Sequence, residues 1–77
     1  MRTEINQYIV ADTEICGGRP TFRGTRIMVS LVLELLEAGE SIKEILKDYP
    51  SLTKDHIKSA LNFAAQRAAQ ERIIMLE

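Results

Sequence analysis

The spacing of apolar and polar positions changes period near residue 30. Before it, Tyr8-Ile9-Val10-Ala11 is a short β-prone run that reads as a strand. The stretch Gly17-Gly18-Arg19-Pro20-Thr21-Phe22-Arg23-Gly24-Thr25-Arg26-Ile27 follows, punctuated by glycine and proline. Gly24 tolerates a positive φ, so Pro20–Phe22 and Thr25–Ile27 are expected to pair as a small hairpin. Pro20 has no N–H for a ladder, which assigns this hairpin to a sheet edge.

From Ser30 the pattern is helical. Leu31, Leu35 and Ala38 recur at i, i+4 and i+7, Val32, Leu33 and Leu36 widen the stripe, and Gly39 follows as a C-terminal cap. Ser41 with Glu44 three residues later forms a capping box for a second helix, with Ile42, Ile45 and Leu46 on its buried face and Pro50 ending it. Thr53 caps a third helix, with Asp55 in its first turn and Leu52 and Ile57 placed as a hydrophobic staple. Ile57, Ala60, Leu61, Ala64 and Ala68 share one face, and the helix is expected to reach about Gln70. A short helix, a turn and a longer helix have the shape of a helix-turn-helix, with the helix from Ser30 packed across it. The expected fold is mainly α: a tri-helical helix-turn-helix over residues 30–70, a β and loop appendage over 1–29, and an apolar tail over 71–77.

Length and charge narrow the function. A chain of 77 residues makes one domain, and at that size folding buries only about 60% of the unfolded surface, so association is a natural source of extra core. No apolar stretch is long enough to span a membrane and no secretory leader is recognisable at the N-terminus, which favours the cytoplasm. One cysteine, Cys16, rules out an internal disulfide and a cysteine-based zinc site. The net charge is −1, yet the charges are segregated: Arg19, Arg23 and Arg26 lie in a loop free of acids, and Glu34, Glu37, Glu40, Glu44 and Asp48 dominate the middle.

The runs Gly17-Gly18-Arg19-Pro20, Arg23-Gly24-Thr25-Arg26-Ile27, Ala38-Gly39-Glu40-Ser41, Tyr49-Pro50-Ser51-Leu52-Thr53 and Ala60-Leu61-Asn62-Phe63-Ala64-Ala65 occur in this order. Together they resemble the bacterial and archaeal domain-of-unknown-function 433 family, from about Ile9 to Ala65. The resemblance implies a homeodomain-like helix-turn-helix with a short β element. It also implies the antitoxin of a type II toxin–antitoxin pair, whose toxin is a PIN-like ribonuclease. Met28 departs from the pattern, standing where the family usually has proline.

Several residues are candidates for these roles. Arg19, Arg23 and Arg26 on a glycine-rich loop suit phosphate contact; the structural reading is that they bridge Glu34, Glu37 and Glu40 and hold the β segment down. In the third helix Lys54, Lys58, Asn62, Gln66 and Gln70 are spaced by four, an arrangement any solvated helix face can have. Lysine meets phosphate, Asn pairs with adenine, and recognition helices read bases near their N-terminal end, which nominates Thr53, Lys54, Lys58 and Asn62 for DNA. His56 has no second ligand at metal spacing and reads as a surface or capping side chain, and Cys16 reads as packing. No nucleophile triad, phosphate loop or paired-carboxylate signature is present, so neither an enzyme nor a cofactor or metal is expected.

Ile73, Ile74, Met75 and Leu76 form four successive large apolar residues. They suit a last strand beside Tyr8–Ala11, a dimer seam or a docking segment for a toxin. The expectation is a cytoplasmic homodimer that binds operator DNA and neutralises a PIN-like toxin; the alternative is a dimeric protein-interaction module on the same scaffold that does not bind DNA.

Overall fold

The computed structural model describes residues 1–70. Among them, three antiparallel strands, β1 (Arg2–Glu4), β2 (Ile9–Asp12) and β3 (Thr21–Phe22), form a sheet in the order β1-β2-β3. Three helices follow, α1 (Val29–Glu37), α2 (Ile42–Asp48) and α3 (Lys54–Gln70). A 3-10 turn at Cys16–Gly18 lies against β2.

β2 is the central strand. Ile9 faces Phe22 across it, Thr3 faces Ala11, and Val10 has Glu4 on one side and Thr21 on the other. β2 is thus bordered by β1 at Val10, Ala11 and Asp12 and by β3 at Ile9 and Val10, in the segment expected to receive the apolar run as a last strand. That run, Ile73 to Leu76, lies outside the described residues. β1 was not expected, because Arg2, Thr3 and Glu4 are all polar and all exposed. Its strand geometry comes from the backbone, including Thr13 N–H to the Met1 carbonyl at 2.9 Å and Ile5 N–H to the Ile9 carbonyl at 3.0 Å. The expected hairpin reduces to one bridge, between Thr21 and Met28, with Phe22 N–H bonded to the Ile27 carbonyl and Val29 N–H to the Pro20 carbonyl. Between them Phe22–Thr25 makes a tight turn closed by Thr25 N–H to the Phe22 carbonyl at 3.0 Å, and Gly24 supplies its φ of 77°. Met28 has φ −74° and ψ 139°, a geometry that proline shares, so this backbone suits either residue.

The strands are not an appendage. Ile9 and Phe22 are fully buried in one core with Val29 and Val32 of α1, Ile45 of α2, Leu52, and Ile57 and Ala60 of α3. Each of the larger side chains contributes roughly 1.5–3 kcal/mol by leaving water. The buried face of α1 is centred on Val29 and Val32 rather than on Leu31, Leu35 and Ala38. Ser30, Glu34 and Glu37, all exposed, form the polar stripe that turns Val32 inward. Ile42 and Leu61, expected inside, are 38% and 47% exposed.

The helix ends follow their local chemistry. α1 closes in a Schellman motif: Gly39 takes φ 94°, its N–H reaches the Leu36 carbonyl, and Glu40 N–H reaches the Leu35 carbonyl. α2 begins with the expected capping box, Glu44 N–H to Ser41 Oγ at 3.1 Å and Ser41 N–H to Glu44 Oε1 at 2.9 Å. Hydrogen bonding from the Ser41 backbone first, then from the Ser41 side chain, lowers the pKa of the Glu44 carboxyl. Tyr49–Leu52 is a turn with Pro50 at its second position, closed by Leu52 N–H to the Tyr49 carbonyl at 2.9 Å.

One buried group is at odds with its surroundings. Thr21 is fully buried, and its hydroxyl has no hydrogen-bond partner among the described residues. An unsatisfied buried hydroxyl is costly, whereas an apolar group of the same shape is not. Thr21→Val is therefore expected to raise the stability of the domain by about 1 kcal/mol. Chemical denaturation with the midpoint and slope fitted separately checks this, and a loss of stability would mean that the hydroxyl is bonded in solution.

Candidate nucleic-acid interface

The polar side of α3 faces the turn between β1 and β2, and Asn6 organises that turn. Its Oδ1 accepts from Tyr8 N–H at 2.8 Å and Ile9 N–H at 2.9 Å, and also from Ser59 Oγ of α3 at 3.2 Å. A single side-chain oxygen thus shapes the turn and ties it to the helix. Next to it the Tyr8 ring meets His56 edge-on at 4.9 Å, and Phe22 meets the same imidazole at 5.6 Å.

His56 completes the N-terminus of α3. Its Nδ1 accepts from Thr53 N–H at 3.0 Å and stands 2.9 Å from Thr53 Oγ1. The imidazole thereby takes the place at the start of α3 that Glu44 has at the start of α2. The capping reading of His56 holds, and the Thr53 hydroxyl, nominated for DNA, is turned toward this cap.

Between the turn and the helix runs a groove of about 430 Å³ with Asn6–Tyr8 on one wall and Asp55, Lys58, Ser59 and Asn62 on the other. Two of the nominated residues, Lys58 and Asn62, thus share one site, and Lys54 is exposed one turn earlier on α3. Opposite them Ile57 and Ala60 are buried and hold the helix to the core.

Arg23 comes to the same turn from the other side. Its Nε donates to the Gln7 carbonyl at 3.1 Å, and its Nη2 donates to the Asn6 carbonyl at 3.2 Å and pairs with the Glu4 carboxylate. Its carboxylate is that of β1, not one of those on α1, and the guanidinium acts as a brace under the turn. Arg19 and Arg26 are exposed and form no ion pair with Glu34, Glu37 or Glu40. The three arginines do not form one cluster in the groove. Cys16 is half-buried at φ 52°, and its thiol donates to the Arg26 carbonyl at 3.6 Å. Among the described residues, no group of three or more His, Cys, Asp or Glu is placed to hold a metal, and no helix is long and apolar enough to cross a membrane.

The sequence reading missed Asn6, Tyr8 and Ser59. Asn two residues before a β-prone run is a turn signal, and Asn6 stands so before Tyr8-Ile9-Val10-Ala11. No local signal marks Ser59, because its partner is 53 residues away.

The described residues thus define a small two-layer domain, three helices against a three-stranded sheet, with a polar groove between a strand turn and the last helix. The chain belongs to the family described as Protein of unknown function (DUF433), whose profile covers residues 9–64. It is 34% identical over 58 residues to "Uncharacterized protein y4eO" of Sinorhizobium fredii (strain NBRC 101917 / NGR234), a stretch that is 75% of this chain and 26% of that protein. No solved structure matches the chain.

The Arg23 brace has a pH signature. Hydrogen bonds from Arg23 first, then from Arg2, hold the Glu4 carboxyl below the ordinary glutamate range. A carboxyl that is the stronger acid when folded stabilises the domain above its unfolded pKa, and the effect is lost as pH falls through the lowered value. Arg23→Ala is expected to move the Glu4 titration upward, read by carbon-detected NMR of the carboxyl. A titration that stays in place would show that the guanidinium does not engage Glu4 in solution.

Proposed function

We propose that this chain is the DNA-binding antitoxin of a type II toxin–antitoxin pair, with α2, the turn Tyr49–Thr53 and α3 working as a homeodomain-like helix-turn-helix. The observation that carries the reading is the pairing of an anchored and an exposed side on α3: Ile57 and Ala60 are buried, while Lys54, Lys58 and Asn62 are open to solvent. In that role α3 enters the major groove, Lys54 and Lys58 meet phosphates, and Asn62 pairs with an adenine edge. The turn Asn6–Tyr8, walling the same groove, meets the flanking backbone. Arg19 and Arg26, exposed on their loop, remain available for phosphate contact. The chain acts as a homodimer presenting two α3 helices to half-sites about 34 Å apart. The toxin is a PIN-like ribonuclease, as the family resemblance implies, and Ile73, Ile74, Met75 and Leu76 are the segment we assign to contact with it.

A second reading, a dimeric protein-interaction module that does not bind DNA, is favoured by one observation. Arg23 is occupied by Glu4, and Asp55 shares the groove with Lys58, so the face carries little net positive charge.

Titration of the promoter DNA upstream of the gene at several salt concentrations separates the two. Lys58→Ala is expected to weaken binding to all sequences and to lower the salt slope by about 1, whereas Asn62→Ala costs about 1–3 kcal/mol and relaxes preference at one base pair. Binding that is insensitive to salt, or unchanged in both variants, sinks the DNA-binding reading and leaves the interaction module. Co-purification with the neighbouring gene's product, followed by its mass in solution, tests the antitoxin role.

A further inference from the structure

The outer edge of β1 carries Arg2 and Glu4, whose side chains pair with one another and, for Glu4, with Arg23, while the sheet of the described residues leaves the outward backbone groups of both unpaired. Met1, Thr3 and Ile5 direct their backbone groups to β2: Thr13 N–H bonds to the Met1 carbonyl, Thr3 faces Ala11, and Ile5 N–H bonds to the Ile9 carbonyl. Backbone groups alternate in direction along an antiparallel strand, so the N–H and C=O of Arg2 and Glu4 point away from the sheet. Among the described residues, two donors and two acceptors thus lie on an unpaired edge, flanked by one cation and one anion.

We propose that this edge is a self-complementary interface on which a second copy of the chain adds its own β1, giving a continuous six-stranded sheet. Only even positions present outward backbone groups, so an antiparallel partner must set even against even, and three registers are available. Arg2 against Arg2 and Glu4 against Glu4 each juxtapose like charges, which is destabilising on a sheet. The third sets Arg2 against Glu4 of the second copy twice, with Thr3 on the two-fold axis, four backbone hydrogen bonds around it, and Met1 against Ile5 at each end. Every facing pair in that register is complementary, and charge selects it.

The second side of the sheet supports the same occupant. Met1 is 91% exposed, although by alternation it lies on the face of Thr3 and Ile5. That face carries a groove of about 690 Å³ with Ile5, Ala11, Pro20 and Phe63 in its lining and Arg67 and Gln70 of α3 beside them. In the chosen register Met1 of the second copy lies across Ile5 at the mouth of this groove. A two-fold axis normal to the sheet keeps both helical layers on one face, so the ends of the two α3 helices come to the seam together. Residues 65–70 of α3 are all exposed, and they supply the area that a three-residue edge alone lacks. This interface is independent of whether α3 reads DNA.

The test is a charge exchange on the full chain, read by sedimentation equilibrium over a concentration series. Wild type is expected to dimerise. Arg2→Glu puts two carboxylates on the edge and Glu4→Arg two guanidiniums, and each variant alone is expected to raise the dimer dissociation constant about tenfold, because both facing pairs become like-charged. Mixed in equal amounts, the two variants restore opposite charges at both positions and are expected to return to dimers near the wild-type strength. The restoration also shows that neither variant is misfolded, and circular dichroism of each checks this directly. A monomeric wild type, variants that dimerise as wild type does, or a mixture no tighter than its components would each overturn the proposal.

Discussion

A chain of this length has room for a single core, and both layers of the domain have to contribute to it. The pair Ile9 and Phe22 makes that possible, facing one another across β2 and β3 and fully buried against Val32, Ile45 and Ile57. Everything at the candidate interface hangs from this pair. Phe22 is followed at once by the turn that carries Arg23, and Ile9 is preceded at once by the turn that carries Asn6 and Tyr8. With the two apolar residues seated, Arg23 is within reach of the Asn6 and Gln7 carbonyls, and Tyr8 and Phe22 together enclose His56.

The polar side of α3 is positioned by groups that are themselves partly covered. His56 closes the first turn of the helix and packs in the aromatic cluster, and Ser59 bonds Asn6 one turn later. Lys58 and Asn62 stand on either side of that contact along a helix that cannot rotate without breaking it. A groove built on locked neighbours holds its side chains in place better than an open loop does. Arg23, although exposed, belongs to this support, since its Nε and Nη2 donate to two carbonyls and Glu4.

Much of the helical part was legible in the chain because its signals are local. The Ser41 and Glu44 box, Gly39 after α1, Pro50 after α2 and Thr53 before α3 each act within four residues and appear where expected. The burial of Ile42 and Leu61 was misjudged because periodicity identifies a face and not what covers it. In α1 the polar stripe of Ser30, Glu34 and Glu37 was the better guide, since nearly every other position is apolar and the apolar stripe is ambiguous. β1 was invisible: Arg2-Thr3-Glu4 has no hydrophobic alternation, and only the pairing of its backbone with β2 makes it a strand.

The sequence by itself determined the switch from strand to helix near residue 30, the C-terminal ends of α1 and α2, the starts of α2 and α3, and the placement of Lys58 and Asn62 on one side of α3. Each of these follows from contacts within a turn or two of the chain, which residue types and spacing encode directly. Only the tertiary structure decided that β2 is central, that Arg23 pairs with Glu4 rather than with α1, and that Asn6 and Ser59 meet across 53 positions. Such contacts depend on where the buried pair Ile9 and Phe22 brings the two turns. An arginine in a loop carries the same charge and reach whichever carboxylate the core sets beside it, so its partner is a property of the packed fold.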